Sequence, residues 1–237
     1  MSVSRRVFGW IALVAALMVV LAGCEFFRSG YDHGILILED EGTEVGVYDI
    51  LSGADLPVTL AGPYWEFTAN RLDGYDVVIF LNGKNYNNTM PAPVQAALRD
   101  WVSNGGALLT TEWLMWSGSV NETTTGILPV TYGGTWSTGV ETYTREAEHP
   151  ISANLPASFQ TRTDWSFSVT RVDPDPVKDA VVVFSGSRSE DAVVTGRHGS
   201  GRVVHWNMGG VWNGTNIWSI EMRTLLVNIA EYLLSDD

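Results

Sequence analysis

Residues 75–111 read YDVVIFLNGKNYNNTMPAPVQAALRDWVSNGGALLTT, and their pattern decides the fold. Tyr75 to Leu81 is an apolar run of one strand's length, opening onto Asn82-Gly83-Lys84-Asn85. Pro91 and Pro93 then introduce an amphipathic helix, Val94 to Val102, in which Val94, Ala97, Leu98 and Trp101 share a face and Gly105-Gly106 ends it. Ala107-Leu108-Leu109-Thr110-Thr111 follows as a second apolar strand. A strand that shows no polar alternation has both faces covered, so strand, helix and strand together predict parallel neighbours in a sheet with helices above and below.

The same alternation continues outward. Upstream, Gly34-Ile35-Leu36-Ile37-Leu38 is an unbroken apolar run that ends in Glu39-Asp40-Glu41-Gly42. Residues 43 to 54 suit a short helix with Thr43 as N-cap, and Pro57 to Phe67 reads as a strand with a turn at Gly62-Pro63. Downstream the chain is more β-like: Thr138 to Arg145, Asp164 to Val172, Ala180 to Phe184 and Ala192 to Thr195 suit strands. Gly199-Ser200-Gly201 is a tight turn into Arg202 to Trp206, and Ser219 to Leu234 is a closing helix. The predicted class is α/β, with an open, mostly parallel sheet and extra β-strands in the C-terminal half.

The first residues have a different character. Arg5 and Arg6 precede an apolar run, Val7 to Leu21, that is shorter than the ~20 residues a spanning helix needs. It ends in Leu21-Ala22-Gly23-Cys24, which resembles the bacterial lipobox, where the cysteine is acylated and the preceding bond cut. The expected organisation is a signal peptide over 1–23, a tether over 24–33 and an α/β domain over 34–237. Acyl chains contribute about 0.8 kcal/mol per buried methylene, enough for two or three of them to hold a domain on a bilayer. Cys24 thus marks a membrane-anchored envelope lipoprotein with its domain outside the cytoplasm. Ser4-Arg5-Arg6-Val7-Phe8 resembles the start of a twin-arginine signal, with Gly9-Trp10 where Leu-Lys is usual, and Glu25 does not fix the membrane.

The full chain carries 27 acidic and 14 basic residues, a net charge of −13, and Arg5 and Arg6 leave with the signal. So acidic a surface repels phosphate backbones and anionic headgroups, which argues against nucleic acid as a partner. Cys24 is the only cysteine, so acylation leaves no thiol for a disulfide, a zinc thiolate or catalysis. No spaced Asp-x-Asp-x-Asp loop or His-x-x-x-His pair indicates a metal, and no cofactor is expected.

Four fragments in order resemble the class I glutamine amidotransferase-like superfamily, especially its trehalose-utilisation-protein-like branch. They are Tyr75 to Phe80; the helix leading to Trp101-Val102-Ser103-Asn104-Gly105-Gly106-Ala107-Leu108-Leu109; His149-Pro150-Ile151 with Leu155-Pro156; and Gly199 to Trp206 with the final helix. The resemblance implies a flavodoxin-like three-layer sandwich. It also implies a cysteine nucleophile after the glycine pair and a histidine in the late strands. Here that segment reads Thr110-Thr111-Glu112-Trp113, so thiol-dependent glutamine hydrolysis is excluded at this position, and His205 has no nucleophile within the motif to activate.

Ligand crevices of open parallel sheets lie beyond the carboxyl ends of the strands. The candidate lining is Glu39, Asp40 and Glu41, then Asn82, Lys84 and Asn85 with Tyr86, then Glu112, Trp113 and Trp116. Trp113, Trp116, Trp136, Trp165, Trp212 and Trp218 lie in or beside Gly-, Ser-, Thr- and Asn-rich stretches of the kind that stack and hydrogen-bond sugar rings. The leading expectation is a non-catalytic domain that binds a glycan or an envelope protein, with Trp212 among the contacts. The alternative is a carbohydrate hydrolase or lyase using Glu112, Asp40 or Glu39, and His205.

Overall fold

The computed structural model describes residues 34–40, 45–82, 85–116, 121–139, 141–161, 167–188, 190–208 and 219–235. All belong to one unit, His33–Asp237. The cleavage tetrad with Cys24, and also Glu41, Thr43, Lys84, Trp165, Trp212 and Trp218, lie outside the described residues.

Five strands form the parallel core: β1 (Ile35–Glu39), β2 (Val58–Pro63), β3 (Val77–Phe80), β4 (Ala107–Thr111) and β11 (Gly201–Trp206), in the order β2-β1-β3-β4-β11. Ile35 to Leu38, Val77 to Phe80 and Ala107 to Thr111 are buried throughout, as their missing polar alternation requires. Alternate residues feed two cores. Ile35, Ile37, Val77, Ile79 and Leu109 pack under α1 (Val45–Gly53) and α5 (Ile220–Leu234). On the other face Leu36, Leu38, Val78, Phe80 and Leu108 pack under α2 (Ala92–Ser103). Ser219 starts α5 by accepting the Met222 N–H at 3.2 Å, and each fully buried leucine of that helix, Leu225 among them, contributes about 1.5 to 3 kcal/mol.

Four antiparallel strands extend the sheet beyond β11: β10 (Asp191–His198), β9 (Val181–Gly186), β6 (Thr142–Arg145) and β7 (Ser158–Gln160). The fold is therefore mixed α/β, with a nine-stranded mixed sheet, and the expectation of a mostly parallel sheet holds for one half only. The cause is the pair of tight turns at Gly199-Ser200 and after Gly186, too short for the crossover a parallel connection needs.

Thr138 to Arg145 is also not one strand. Val130–Gly139 forms β5, which pairs with β8 (Phe167–Pro174) in a separate two-stranded ribbon, and the chain then enters β6. At that crossing Glu141 is buried and exchanges backbone bonds with Thr161, whose N–H donates to the Glu141 carbonyl at 2.8 Å. The ribbon, with α3 (Glu112–Trp116) and α4 (Glu122–Thr125), covers the same face as α2, where Leu114, Ile127, Val130 and Val172 join its core.

Candidate functional site

The carboxyl ends of β1, β3, β4 and β11 lie along one edge of the sheet. Because β10 runs antiparallel to β11, with Val193 opposite Trp206, the start of β10, the end of β9 and the start of β6 share that edge.

Asp40 follows β1 and is fully buried, with both carboxylate oxygens accepting the Asn85 N–H at 3.0 and 3.1 Å. The buried Tyr64 hydroxyl donates to the carbonyls of Asn85 at 2.6 Å and Asn88 at 3.2 Å. Burial, then the Asp40 charge, pushes the Tyr64 hydroxyl well above its ordinary range, so it stays a donor. Asp40 and Tyr64 thus hold the loop after β3 against β1. Asn82 is buried at the end of β3, and its N–H reaches Thr111 Oγ1 at 3.4 Å.

β3 lies between β1 and β4, so Asp40 and Glu112 leave the sheet about 10 Å apart at backbone level, two strand spacings. Glu112 opens α3, and its side chain lies outside the described set. His205 stands opposite Thr110 in the β11–β4 register, fully buried, with Nδ1 3.0 Å from Thr110 Oγ1. Its Nε2 has no hydrogen-bond partner. Burial pushes the imidazole down to about 3, so it is neutral at physiological pH and a weak base.

That depression has a measurable consequence. The unfolded chain takes up the histidine proton near pH 6.5, and the folded chain only near 3, so stability falls as pH drops through this window, by up to about 1.4 kcal/mol per unit. In urea unfolding from pH 7 to pH 4, His205→Leu should show a slope shallower by up to one proton, and equal slopes would refute the assignment.

The aromatic candidates separate into two groups. Trp113 is half-buried and stacked on Tyr86, with ring centroids 4.8 Å apart and 19° between planes. Trp116, at the end of α3, is 39% exposed and meets the edge of Trp136 of β5, itself 47% exposed, at 5.9 Å. Tyr132, on the same strand, is 51% exposed. Trp116 was a sequence candidate, whereas Tyr132 carried no signal, because a lone tyrosine in a strand reads as core until its partner strand is known.

A further group has no sequence signature at all. Glu141, before β6, accepts from Ser187 Oγ at 2.7 Å, from the Arg188 N–H at 3.2 Å and from Arg188 Nε at 2.5 Å. Glu190, before β10, is buried beside it. Among the described residues no group of three or more His, Cys, Asp or Glu is placed to hold a metal ion.

The family model described as ThuA, trehalose utilisation, matches residues 43–216. The chain belongs to the ThuA family. Solved structures resemble it along nearly their whole length. A cytoplasmic protein of Salmonella typhimurium, STM3548, is 14% identical with a TM-score of 0.64, covering 84% of this chain and 98% of that one. A ThuA-like protein of Bacteroides uniformis is 18% identical with a TM-score of 0.61, covering 89% and 95%. A GMP synthase component from Thermoplasma acidophilum is 9% identical with a TM-score of 0.56, covering 86% and 95%, in keeping with the wider amidotransferase-like superfamily. No curated protein matches the chain. In this ThuA-family member the β4 strand runs from Thr111 directly into Glu112 and α3, with no thiol at the turn.

Proposed function

We propose that this chain is an envelope lipoprotein, anchored through acylated Cys24, whose ThuA-family domain binds a glycan without transforming it. The observation that carries this reading is the exposed aromatic surface of Trp116, Trp136 and Tyr132 beside the carboxyl edge. Exposed indole and phenol faces cost solvation, and stacking on the C–H face of a sugar recovers it. The acidic chain disfavours anionic partners and leaves neutral glycans as the better match. The family description names trehalose, which points the same way. The parallel half of the sheet reads as the flavodoxin-like part of the architecture, with the crevice along its carboxyl edge.

The residues suited to acid–base work are otherwise engaged. Asp40 spends both oxygens on the Asn85 amide, and His205 is buried and weakly basic. A hydrolase working through Asp40 and Glu112 would first have to free the Asp40 carboxylate.

Titration of the chain from residue 25 onward with neutral disaccharides and cell-wall glycan fragments, followed by tryptophan fluorescence, tests the reading. Trp136→Ala should weaken binding about tenfold, the loss of a contact worth about 1.4 kcal/mol, with the fold unchanged by circular dichroism. If no glycan shifts the emission, the aromatic surface is a contact for a protein partner instead.

A further inference from the structure

Glu141 and Glu190 bring two carboxyl groups into one buried place with one guanidinium. Glu141 is 1% exposed and Glu190 3%. The donors of the β9–β10 turn go to Glu141: Ser187 Oγ and the Arg188 N–H meet its Oε1, and Arg188 Nε meets its Oε2. Arg188 also reaches Ser137 Oγ at 3.3 Å, and the Thr142 N–H donates to Ser187 Oγ at 3.1 Å, so this turn is stitched to the start of β6. Glu190 receives none of these donors. Both its carboxyl oxygens are buried with no hydrogen-bond donor, and they occupy the space over Gly186, where a β-carbon would overlap them.

A buried carboxylate without a donor does not persist as an anion; it takes up a proton. The acid form of Glu190 then has a hydroxyl to donate. Glu141 offers about four lone-pair positions and has three filled, which leaves one for it. The other groups around the pair do not supply a second positive charge. Tyr143 of β6 is buried, kept neutral by that burial, and accepts Trp206 Nε1–H of β11 at 3.1 Å. Asp191 interacts with Asp173, Glu146 and Arg171, on the far side of Glu190 in sequence. β9 contributes only Gly186 and Ser185 here, and Ser185 Oγ donates to Glu146 at 2.5 Å.

We propose that Glu141 and Glu190 share a single proton and form a pH-sensitive latch that holds the Ser187–Arg188 turn against β6 at the carboxyl edge, and that loss of this proton loosens it. In the protonated state the cluster is neutral: one carboxylate, one guanidinium, one carboxylic acid. Ionisation leaves it with a net negative charge in a dry place, and the two carboxylates compete for Arg188. Burial first, and then the Glu141 charge and the hydrogen bond to Glu141, push Glu190 up to about 8, with Arg188 opposing. The latch lies two strands from Thr111, through Trp206 and Val193, so its release disturbs the edge that carries the candidate crevice.

The linkage has a definite sign. The folded chain holds the Glu190 proton to about pH 8, while the unfolded chain releases it near 4.5, so stability falls as pH rises between these values, and levels off above. The folding constant should change by up to about tenfold per pH unit within that window. The test uses the full chain in detergent. Glu190→Gln imitates the protonated acid, so its unfolding midpoint should match wild type near pH 5 and exceed it at pH 8. Hydrogen exchange at the Arg188 amide, which donates to Glu141, should become faster in wild type than in the variant above pH 8.

Identical pH profiles for the two proteins, a variant less stable at every pH, or equal Arg188 exchange would each overturn the proposal. Should Glu190→Gln fail to fold, the infrared carbonyl band of a protonated carboxylic acid in wild type decides. It is expected at pH 7 and lost by pH 9, and its absence at pH 7 overturns the latch.

Discussion

Arg188→Met is expected to lower the unfolding free energy by about 3 to 5 kcal/mol, the usual cost of removing one member of a buried ion pair. Methionine keeps most of the side-chain length and none of the charge. Glu141, 1% exposed, would retain only the Ser187 hydroxyl and the residue-188 N–H as donors, and its carboxylate would stand next to Glu190 with no guanidinium between them. The penalty should shrink as pH falls toward 5, because protonation of Glu141 removes the stranded charge. Urea unfolding at pH 7.5 and pH 5 measures both effects. A loss below about 1 kcal/mol at pH 7.5 would mean that Arg188 and Glu141 behave as a solvated surface pair, and would weaken the latch as well.

Gly201→Ala should be comparably damaging for a reason unconnected with charge. Gly201 begins β11 opposite His198, and a methyl group there would overlap the backbone carbonyls of Val102 and Gly106, at the end of α2 and the start of β4. These atoms belong to a helix terminus and a buried strand, so neither yields as a side chain would. β11 is central, between β4 and β10, and the clash would shift the whole Val203–Leu108 to Trp206–Thr111 register. Overpacking a core side chain costs about 1 to 3 kcal/mol, and a clash with backbone belongs at or above the top of that range. Gly53→Ala is the control. Nothing lies within 4 Å of its β-carbon position, so it should be neutral or stabilise by about 0.4 to 1 kcal/mol. Matching midpoints for the two variants in urea would refute the close approach at Gly201.

The parallel half of the fold was legible because its physics is local. Ile35–Glu39, Val77–Phe80 and Ala107–Thr111 are apolar on both faces, and α2 announces itself by two prolines, one apolar face and a glycine pair. Three of the four resemblance fragments fell on elements that meet in the sheet: β3, the α2–β4 unit and β11. The antiparallel half was misjudged in number and connection. A strand such as Ser158–Gln160, with one buried residue between two exposed ones, carries too little pattern to be seen.

Candidate residues divided in the same way. Asp40, Asn82 and Trp116 were found because they follow strong strands, and the ends of parallel strands are where open sheets collect ligands. What those residues do was not legible. Asp40 could have faced a crevice, yet it binds the Asn85 amide, a bond between residues that sequence distance does not associate. Glu141, Arg188 and Glu190 escaped notice because no spacing joins them; β6 and β9 must pair before the carboxyl groups approach.

By itself, the sequence determined the parallel α/β core, the absence of a thiol in the domain apart from Cys24, and the acidic surface, since periodicity, residue identity and charge survive without coordinates. Only the tertiary structure decided that four strands turn antiparallel, that Trp116, Trp136 and Tyr132 stand exposed beside one edge, and that two carboxyl groups converge on Arg188. Each of those depends on pairing between segments far apart in the chain, and burial, which sets both hydrogen-bond demand and proton affinity, exists only once that pairing has formed.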